Sequence, residues 1–485
     1  MLKRQRYVFL VLTYSLGLLA PHKLLVAQAD SARVLQQIII LGADKTKDWV
    51  ILRELTFAKG KAYTLKNLEA EIPQSEQNIY NLKLFNEAAI EIQVTNVGLA
   101  AIIRVKERWY LIGYPTLRLE ERNTYDLVNA LLDLNFRRIT YGLNAQWRNI
   151  TGRNETLTFS GKLGFSQSLV VDYHRPGVWG SRSLDFTIGG SIRREKEIIL
   201  GTERGVVQWR RIDLQPFQRS QEAYVVLNKR WRLYHNFTVR LGYKRFVFAD
   251  SLRTFFLNGE VAQPIPLSSL EGRLPSLTAA YAYDTRDLRA FPLRGIKAQA
   301  FGRLVGPKGL GSTQFAKLGG TWAHHLPLGD KWNFAYGTHH IFSWGDSLPF
   351  SEKNFHGRSN GEFNGISTNI RGYEPYMIDG TYINMNKAEL KYALVPRQLV
   401  ELPDMPLAQF RTVPFGCYLS LFVDTGYIID QNFNNQDQFL KDQWLLGYGA
   451  GVNLIGVYDL LLRVEYTRNH LGQGGLYIHT TVPIK

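Results

Sequence analysis

Apolar and polar residues alternate with a period of two along most of the chain after residue 108. In residues 237–244, four apolar residues alternate with Thr, Arg, Gly and Lys; residues 462–466 repeat the pattern, and residues 296–300 show it more weakly. Successive side chains of a strand point to opposite faces, so the pattern predicts strands with one apolar and one polar face. Helical periodicity is almost absent from residues 109–485, which we predict to form one long β region.

A period of two is compatible with two kinds of β protein. In a soluble sandwich the apolar face covers a core, whereas in a transmembrane barrel it faces lipid and the polar face lines a wet lumen. Here the polar faces carry Arg, Lys and Glu, strand ends are rich in Tyr and Trp, and connections alternate between short and long. These features favour the barrel, and the length allows roughly 14 to 18 strands.

Residues 34–107 have a mixed pattern that predicts a small α+β domain. Thr46 is expected to cap a short helix and Thr64 a second one, which Pro73 should bend or end. Strands are predicted at residues 35–41, 90–94 and 103–105, the last two joined by a turn at 96–98.

The beginning of the chain has the features of a signal peptide. Three basic residues among the first six precede an apolar run over residues 7–20, which is too short to cross about 30 Å of hydrocarbon. Ala27-Gln28-Ala29 fits the small-x-small cleavage rule, so we predict a signal peptide over residues 1–29. No later run of about 18 apolar residues occurs, and helical membrane spans are therefore not expected.

Composition and charge narrow the list of partners. The single cysteine, Cys417, cannot form an intrachain disulfide. A net charge of +16 could indicate binding to nucleic acid. However, a signal peptide would direct the chain away from nucleic acid, and the basic residues are scattered along strands. An anionic membrane surface or a charged lumen is the favoured partner, and no nucleic acid is expected.

The most informative stretch is Ile370-Arg371-Gly372-Tyr373, within the loop-like segment 365–375. A lone cation beside glycine suits a loop that folds inward and places one charge at a defined position. Asp424 is the expected partner, since the alternation over residues 419–424 puts its carboxylate on the face opposite the aliphatic residues. Glu389 alternates with apolar neighbours in the same way and is the second candidate.

The order of several motifs resembles the outer-membrane assembly superfamily, the bacterial surface antigen proteins that include the BamA and TamA insertases. The Ile-Arg-Gly-Tyr loop is followed by Phe422-Val423-Asp424-Thr425-Gly426 and preceded by an Asp-x-Arg-Asp and Phe-Pro-x-x-Gly sequence at 284–295. The small domain resembles the superfamily's POTRA module, of order β-α-α-β-β, through Thr46-Lys47-Asp48, Arg53-Glu54-Leu55, Leu84-Phe85-Asn86 and Val105-Lys106-Glu107-Arg108.

This resemblance implies a mainly β fold, in which a 16-stranded antiparallel transmembrane β-barrel follows one POTRA domain. The implied boundaries are 33–108 for the POTRA domain, in the periplasm, and 109–485 for the barrel, in the bacterial outer membrane. The implied site residues form a loop-to-wall cluster of Arg371, Gly372, Tyr373, Glu389, Asp424 and Gly426, and a barrel motif of Asp284, Arg286, Asp287, Phe291, Pro292 and Gly295.

The implied function is to assist the folding and insertion of outer-membrane proteins. The expected partners are outer-membrane lipid and lipopolysaccharide, unfolded client proteins and periplasmic accessory proteins. Two alternatives remain open: a pore for polypeptide secretion or a conduit for lipid, and a barrel that acts as a receptor or scaffold. Neither an enzyme nor a cofactor is implied.

Two departures from the family pattern concern accessory partners and barrel closure. Only one POTRA-like domain fits before the barrel, whereas the bacterial insertases carry several. The last strand ends Thr481-Val482-Pro483-Ile484-Lys485 without the usual terminal aromatic residue, and Pro483 has no N–H to donate. We therefore expect the seam between the first and last strands, near 110–119 and 476–484, to be less fully hydrogen-bonded than the others.

Other motifs resemble a catalytic nucleophile or a metal site but lack the residues or the geometry that such a site requires. Gly345-Asp346-Ser347-Leu348 resembles a lipase nucleophile, but no Asp-x-x-His follows late in the chain to supply a base. Neighbouring residues of a strand face opposite ways, so the pairs His324-His325 and His339-His340 cannot chelate a metal from one side. No metal site is predicted.

Overall fold

The structure is a computed structural model, and it describes most of the chain after residue 31. The predicted signal peptide (1–29) and the predicted end of the last strand (480–485) lie outside the described residues. The described ranges are 32–119, 139–204, 206–211, 218–250, 271–307, 309–345, 348, 352–356, 369–406, 411–430, 439–456 and 460–479.

A small α+β domain comes first. The predicted order is observed with one extra two-residue strand, and the elements are β1 (Arg33–Leu41), α1 (Asp48–Leu52), β2 (Ala62–Tyr63), α2 (Leu65–Tyr80), β3 (Phe85–Thr95) and β4 (Gly98–Glu107). The sheet of this domain has the order β2-β1-β4-β3, in which β1 and β4 run parallel and the other neighbours antiparallel. Four side chains are fully buried between the sheet and the two helices: Leu35, Ile51, Leu68 and Phe85.

Of the three predictions about these helices, the cap at Thr64 is confirmed, the cap at Thr46 is wrong, and the expected end at Pro73 is not observed. Thr64 caps α2, since its hydroxyl accepts a hydrogen bond from the Asn67 N–H at 3.2 Å. Thr46 caps nothing, because its hydroxyl is engaged by the Glu107 carboxylate at 2.6 Å. Pro73 does not end α2, which continues to Tyr80; proline removes only one backbone donor, and packing of the helix against the sheet outweighs that loss.

The rest of the described chain is dominated by one 16-stranded sheet in which every neighbouring pair is antiparallel. The expected mainly β fold with 16 antiparallel strands is thus confirmed. Its strands are β5 (Leu111–Leu119), β6 (Ile139–Arg148), β7 (Thr156–Gly164), β8 (Ser166–Arg175), β9 (Leu184–Glu195), β12 (Gln218–Arg232), β13 (His235–Phe248), β14 (Glu271–Asp284), β15 (Gly295–Val305), β16 (Phe315–Pro327), β17 (Trp332–Trp344), β20 (Tyr382–Glu401), β21 (Thr412–Ile429), β22 (Trp444–Ile455), β23 (Leu461–Asn469) and β24 (Gly474–His479). Two separate two-stranded sheets are formed by β10 (Glu197–Glu203) with β11 (Val206–Arg211) and by β18 (Asn354–His356) with β19 (Ile378–Gly380).

The two ends of this sheet are β5 and β24. Each pairs with one neighbour, β6 and β23 respectively, and within residues 111–119 and 474–479 the two strands do not pair with each other. No helix in the described ranges is long and apolar enough to cross a membrane.

The inner face of the sheet differs between its two halves. On β15 to β23 the inward polar side chains, such as Lys317, Lys387 and Glu465, are buried. On β6 to β13 inward residues such as Ser160 and Asp172 are only half-buried. The interior is therefore filled on one side and open on the other.

The small domain lies against the turns at one end of the sheet. Glu54 receives two hydrogen bonds from the Arg230 guanidinium, at 2.6 and 2.7 Å. The Asn81 amide donates to the Asp287 carbonyl oxygen at 2.7 Å, and the Lys47 N–H donates to the Gly152 carbonyl at 2.8 Å. These contacts fix the domain to the end of β12, to the turn between β6 and β7 and to the turn between β14 and β15.

Candidate functional site

The described residues of the connection between β17 and β20, among them 369–381, lie in the interior on its filled side. Ile370 and Tyr373 of this connection are fully buried. Both belong to a cluster of buried apolar side chains between the connection and the wall of the sheet. We call this cluster the apolar layer; it comprises Ile370, Tyr373, Ile378, Ile383, Met385, Ile428, Leu440 and Leu445.

Arg371 binds Asp424 through three nitrogens. Its Nη2 lies 2.6 Å from Oδ1, while its Nε and its backbone N–H donate to Oδ2 at 2.9 and 3.0 Å. The guanidinium also stacks on the ring of Phe422, with its central carbon 3.6 Å from the ring centroid. The structure thus brings together the two residues that the sequence singled out.

Glu389, the second candidate acceptor, plays a lesser part than expected. Its Oε2 lies 3.6 Å from Arg371 Nη1, and neither of its carboxylate oxygens accepts a hydrogen bond in the described chain. The second hydrogen-bonded carboxylate is Glu465 on β23, with Oε1 3.2 Å from Arg371 Nη1. Sequence reasoning missed Glu465, although the alternation over residues 462–466 already placed it on the polar face.

Two further cations balance the carboxylates. Lys387 Nζ lies 3.7 Å from Asp424 Oδ2 and also donates to the carbonyl of Asn369, while Arg463 Nη2 binds Glu465 Oε2 at 2.9 Å. Three cations thus face three carboxylates in a buried group, the central ion cluster, formed by Arg371, Lys387, Glu389, Asp424, Arg463 and Glu465.

The residues that follow Arg371 fix the path of the loop. Gly372 has φ +93°, a left-handed conformation that favours glycine, and its carbonyl accepts from the Asn469 amide at 2.8 Å. The Tyr373 hydroxyl bonds with His470 and accepts from the Leu446 N–H at 3.2 Å. Gly426 leaves room on β21, where a Cβ would overlap the side chain of Ile370.

A further glycine that contacts the loop, Gly447 on β22, was not predicted from the sequence. A Cβ at this position would overlap the backbone carbonyl oxygen of Arg371, so the loop approaches the wall through the space that the missing side chain leaves. We expect Gly447→Ala to destabilise the folded protein by about 1–3 kcal/mol, since backbone must move to admit the methyl group. Urea unfolding in detergent, with Gly302→Ala on open space as the control, measures this difference. Equal stability of the two variants would contradict it.

The residues of the predicted barrel motif lie at the small-domain end of the sheet, away from Arg371. Arg286 forms a two-pronged pair with Asp284, with both N–O distances 2.7 Å. Asp287 closes the turn by accepting from the N–H groups of Leu288 and Leu293 at 2.8 and 3.0 Å. Burial raises the pKa of Asp287 above its usual range, although these backbone donors oppose the shift.

The second half of this motif packs into the bottom of the interior. The centroid of the Phe291 ring lies 4.8 Å from that of the Tyr418 ring and 4.5 Å from the Lys391 ammonium nitrogen. The Pro292 carbonyl accepts from Lys391 at 3.5 Å, and Gly295 has φ +102°. The two groups of predicted residues therefore form two separate structures, the loop cluster on the wall and the motif at the turn.

A family comparison agrees with this arrangement. A sequence profile of the Omp85 superfamily domain matches residues 149–468, more than half of the chain. The chain belongs to the Omp85 superfamily. The barrels of this superfamily are outer-membrane proteins without enzymatic activity, and the Omp85 match extends over the turn motif, the inward loop and all six residues of the central ion cluster.

The fold of this Omp85 chain is also found in the solved structure of CdiB. CdiB from Escherichia coli superposes with a TM-score of 0.55 and 14% identity, covering 92% of this chain and 75% of that chain. BamA from Haemophilus ducreyi lacking POTRA domains 1–3 gives a TM-score of 0.48 and 15% identity, covering 92% and 83%. A comparison with curated proteins found no match.

The contacts of Arg371 attach the loop to the wall of the sheet and do not form a catalytic site. Every nitrogen-to-carboxylate contact of Arg371 holds the loop to β20, β21 or β23. In the described ranges, no three His, Cys, Asp or Glu side chains are grouped so that they could hold a metal ion.

Proposed function

We propose that this Omp85 chain assists the folding and insertion of other proteins at the bacterial outer membrane. The observation that carries the proposal is the gap between β5 and β24, which do not pair within residues 111–119 and 474–479. An end strand without a partner presents free N–H and C=O groups, to which a strand of another chain can add.

We propose that the chain consists of three segments that serve this role. Residues 1–29 are a signal peptide, residues 33–108 a POTRA domain in the periplasm, and residues 109–485 the barrel. The small domain supports the POTRA assignment through its strand and helix order, and β3 is an edge strand of its sheet. An edge of this kind can receive a client strand before the barrel does.

The proposed partners are outer-membrane lipid and lipopolysaccharide around the barrel, unfolded client chains at the gap, and periplasmic accessory proteins. The lipid contact is supported by the outward side chains of the strands, of which Leu241, Leu421 and Leu462 are all exposed. Apolar side chains facing out from a sheet with a polar interior are typical of a membrane barrel.

A second candidate function is a conduit for polypeptide or lipid. The half-open interior favours it, since inward side chains of β6 to β13, such as Asn144, Ser160 and Thr238, remain half-buried beside the filled side. A polar lining that water reaches is what a hydrophilic solute requires for passage.

A liposome experiment with the purified protein distinguishes the two functions. We expect the full chain to accelerate the insertion of an unfolded outer-membrane protein, which is followed by its heat-modified gel mobility, and to show only small or transient currents in a planar bilayer. Empty liposomes are the control. Large stable conductance without faster insertion would favour the conduit and refute the insertase.

A further inference from the structure

Beyond the central ion cluster, the interior contains a second buried group of charges. Lys353 Nζ lies 2.8 Å from Asp379 Oδ2 and 2.6 Å from Asp430 Oδ2. Lys441 Nζ lies 3.2 Å from Asp379 Oδ1 and 3.5 Å from Asp430 Oδ2. Two cations therefore alternate with two carboxylates, and all four side chains are at most 1% exposed. We call these four residues the distal ion cluster.

The four residues come from four different segments of the chain. Lys353 precedes β18 and Asp379 lies in β19, so both belong to the connection that carries Arg371. Asp430 follows β21, and Lys441 precedes β22. The cluster thus ties both arms of the inward connection to the neighbouring loop between β21 and β22.

The distal cluster lies far from the central one. β21 begins beside the small domain, where Lys106 Nζ is 3.4 Å from the Thr412 hydroxyl, and it runs away from that domain to Ile429. Asp424 and Asp430 are separated by six residues of this extended strand, which corresponds to about 20 Å. The apolar layer fills the space between them, with Ile428 on the strand itself.

We propose that Lys353, Asp379, Asp430 and Lys441 form a lock that keeps the distal end of the interior closed, independently of Arg371. Removal of Lys353 leaves Asp379 and Asp430 sharing Lys441 as the one remaining cation of the cluster, and the uncompensated negative charge favours opening of the connection. Removal of Lys353 together with Asp430 leaves Lys441 in contact with Asp379 at 3.2 Å, so that one cation of the cluster again faces one carboxylate, and the connection stays closed. The inference goes beyond the proposed function, since it holds for an insertase and for a conduit alike.

A buried reporter thiol tests the lock in the full chain. Ile428→Cys, combined with Cys417→Ser, places the only cysteine in the apolar layer, where Ile428 is fully buried. The measured quantity is its rate of labelling by a membrane-impermeant maleimide, with the protein in liposomes and its folding checked by heat-modified gel mobility. We expect Lys353→Met to raise this rate by about 100-fold or more, because a local opening exposes the thiol.

The matched variants decide what holds the connection. Lys353→Met with Asp430→Leu should bring the rate back toward that of the parent, whereas Glu222→Gln, which breaks the half-exposed pair with Arg240 on the open side, should not change it. If Lys353→Met prevents folding, Lys441→Met removes the cation with the longer contacts and gives the same test. A parent-like rate in the single variant, or equally fast labelling in the single and double variants, would overturn the proposal.

Discussion

Replacement of Arg371 by alanine is expected to destabilise the folded protein by about 3–5 kcal/mol. The change leaves three buried carboxylates, Asp424, Glu389 and Glu465, facing only two cations. It also removes the stacking on Phe422 and the contact that fixes the loop to the wall. Urea unfolding in detergent measures the loss, and heat-modified gel mobility reports whether the fold survives.

Companion variants identify the cause of that loss. Arg371→Ala and Asp424→Asn should be non-additive by about 0.5–3 kcal/mol, since the two side chains share hydrogen bonds. Arg371→Lys should restore little, because an ammonium cannot reproduce the fork that binds both Asp424 oxygens. The control is Arg240→Ala, which breaks a half-exposed pair with Glu222 and should cost only about 0–1 kcal/mol. Small, strictly additive effects would mean that the loop is not pinned there.

A disulfide between the two end strands of the sheet is expected to abolish client insertion. With Cys417 replaced by serine, cysteines at Leu476 or Ile478 on β24 would be combined with cysteines at Leu111 or Gly113 on β5, all on the outward face. Oxidation of a pair that cross-links removes the free edge to which, in the proposed function, a client strand adds. The rate of client insertion in liposomes should fall to that of empty liposomes and recover after reduction.

The control for this experiment is a cross-link where the strands already pair. Leu157 on β7 faces Tyr173 on β8, so a disulfide there constrains the sheet without affecting the gap. It should leave insertion unchanged. Insertion at the normal rate with the end strands locked would refute lateral opening and favour transport through the half-open interior.

The sequence predicted those parts of the molecule that depend on local pattern. Alternation at period two predicted the strands and the faces of Asp424 and Glu389, because side-chain direction in a strand follows from position alone. The resemblance, through the order of its motifs, implied the number of strands. Thr64 was correctly predicted as a cap because capping involves only the residues of the next helical turn.

The missed features depend on contacts between distant segments. Glu465 reaches Arg371 from β23, two strands away from β21, and only the register of the sheet brings them together. Thr46 could not be assigned to Glu107 because their contact spans 61 residues of sequence. The difference between the filled and open sides of the interior was also hidden, since both halves alternate in the same way and only the returning connection distinguishes them.

The docking of the small domain has a mechanical consequence for the gap in the sheet. On one side the domain continues from β4 directly into β5, and Tyr110 at this junction packs against the domain core. On the other side Tyr80, at the end of α2, belongs to one buried apolar cluster with Ala393, Tyr418, Ile455 and Leu461, which lie on β20 to β23. The domain is therefore attached to the sheet on both sides of the gap. If the sheet opens at the gap, as the proposed function requires, either Tyr80 leaves this cluster or the whole domain moves with β5, so the docking of the domain limits how far the sheet opens.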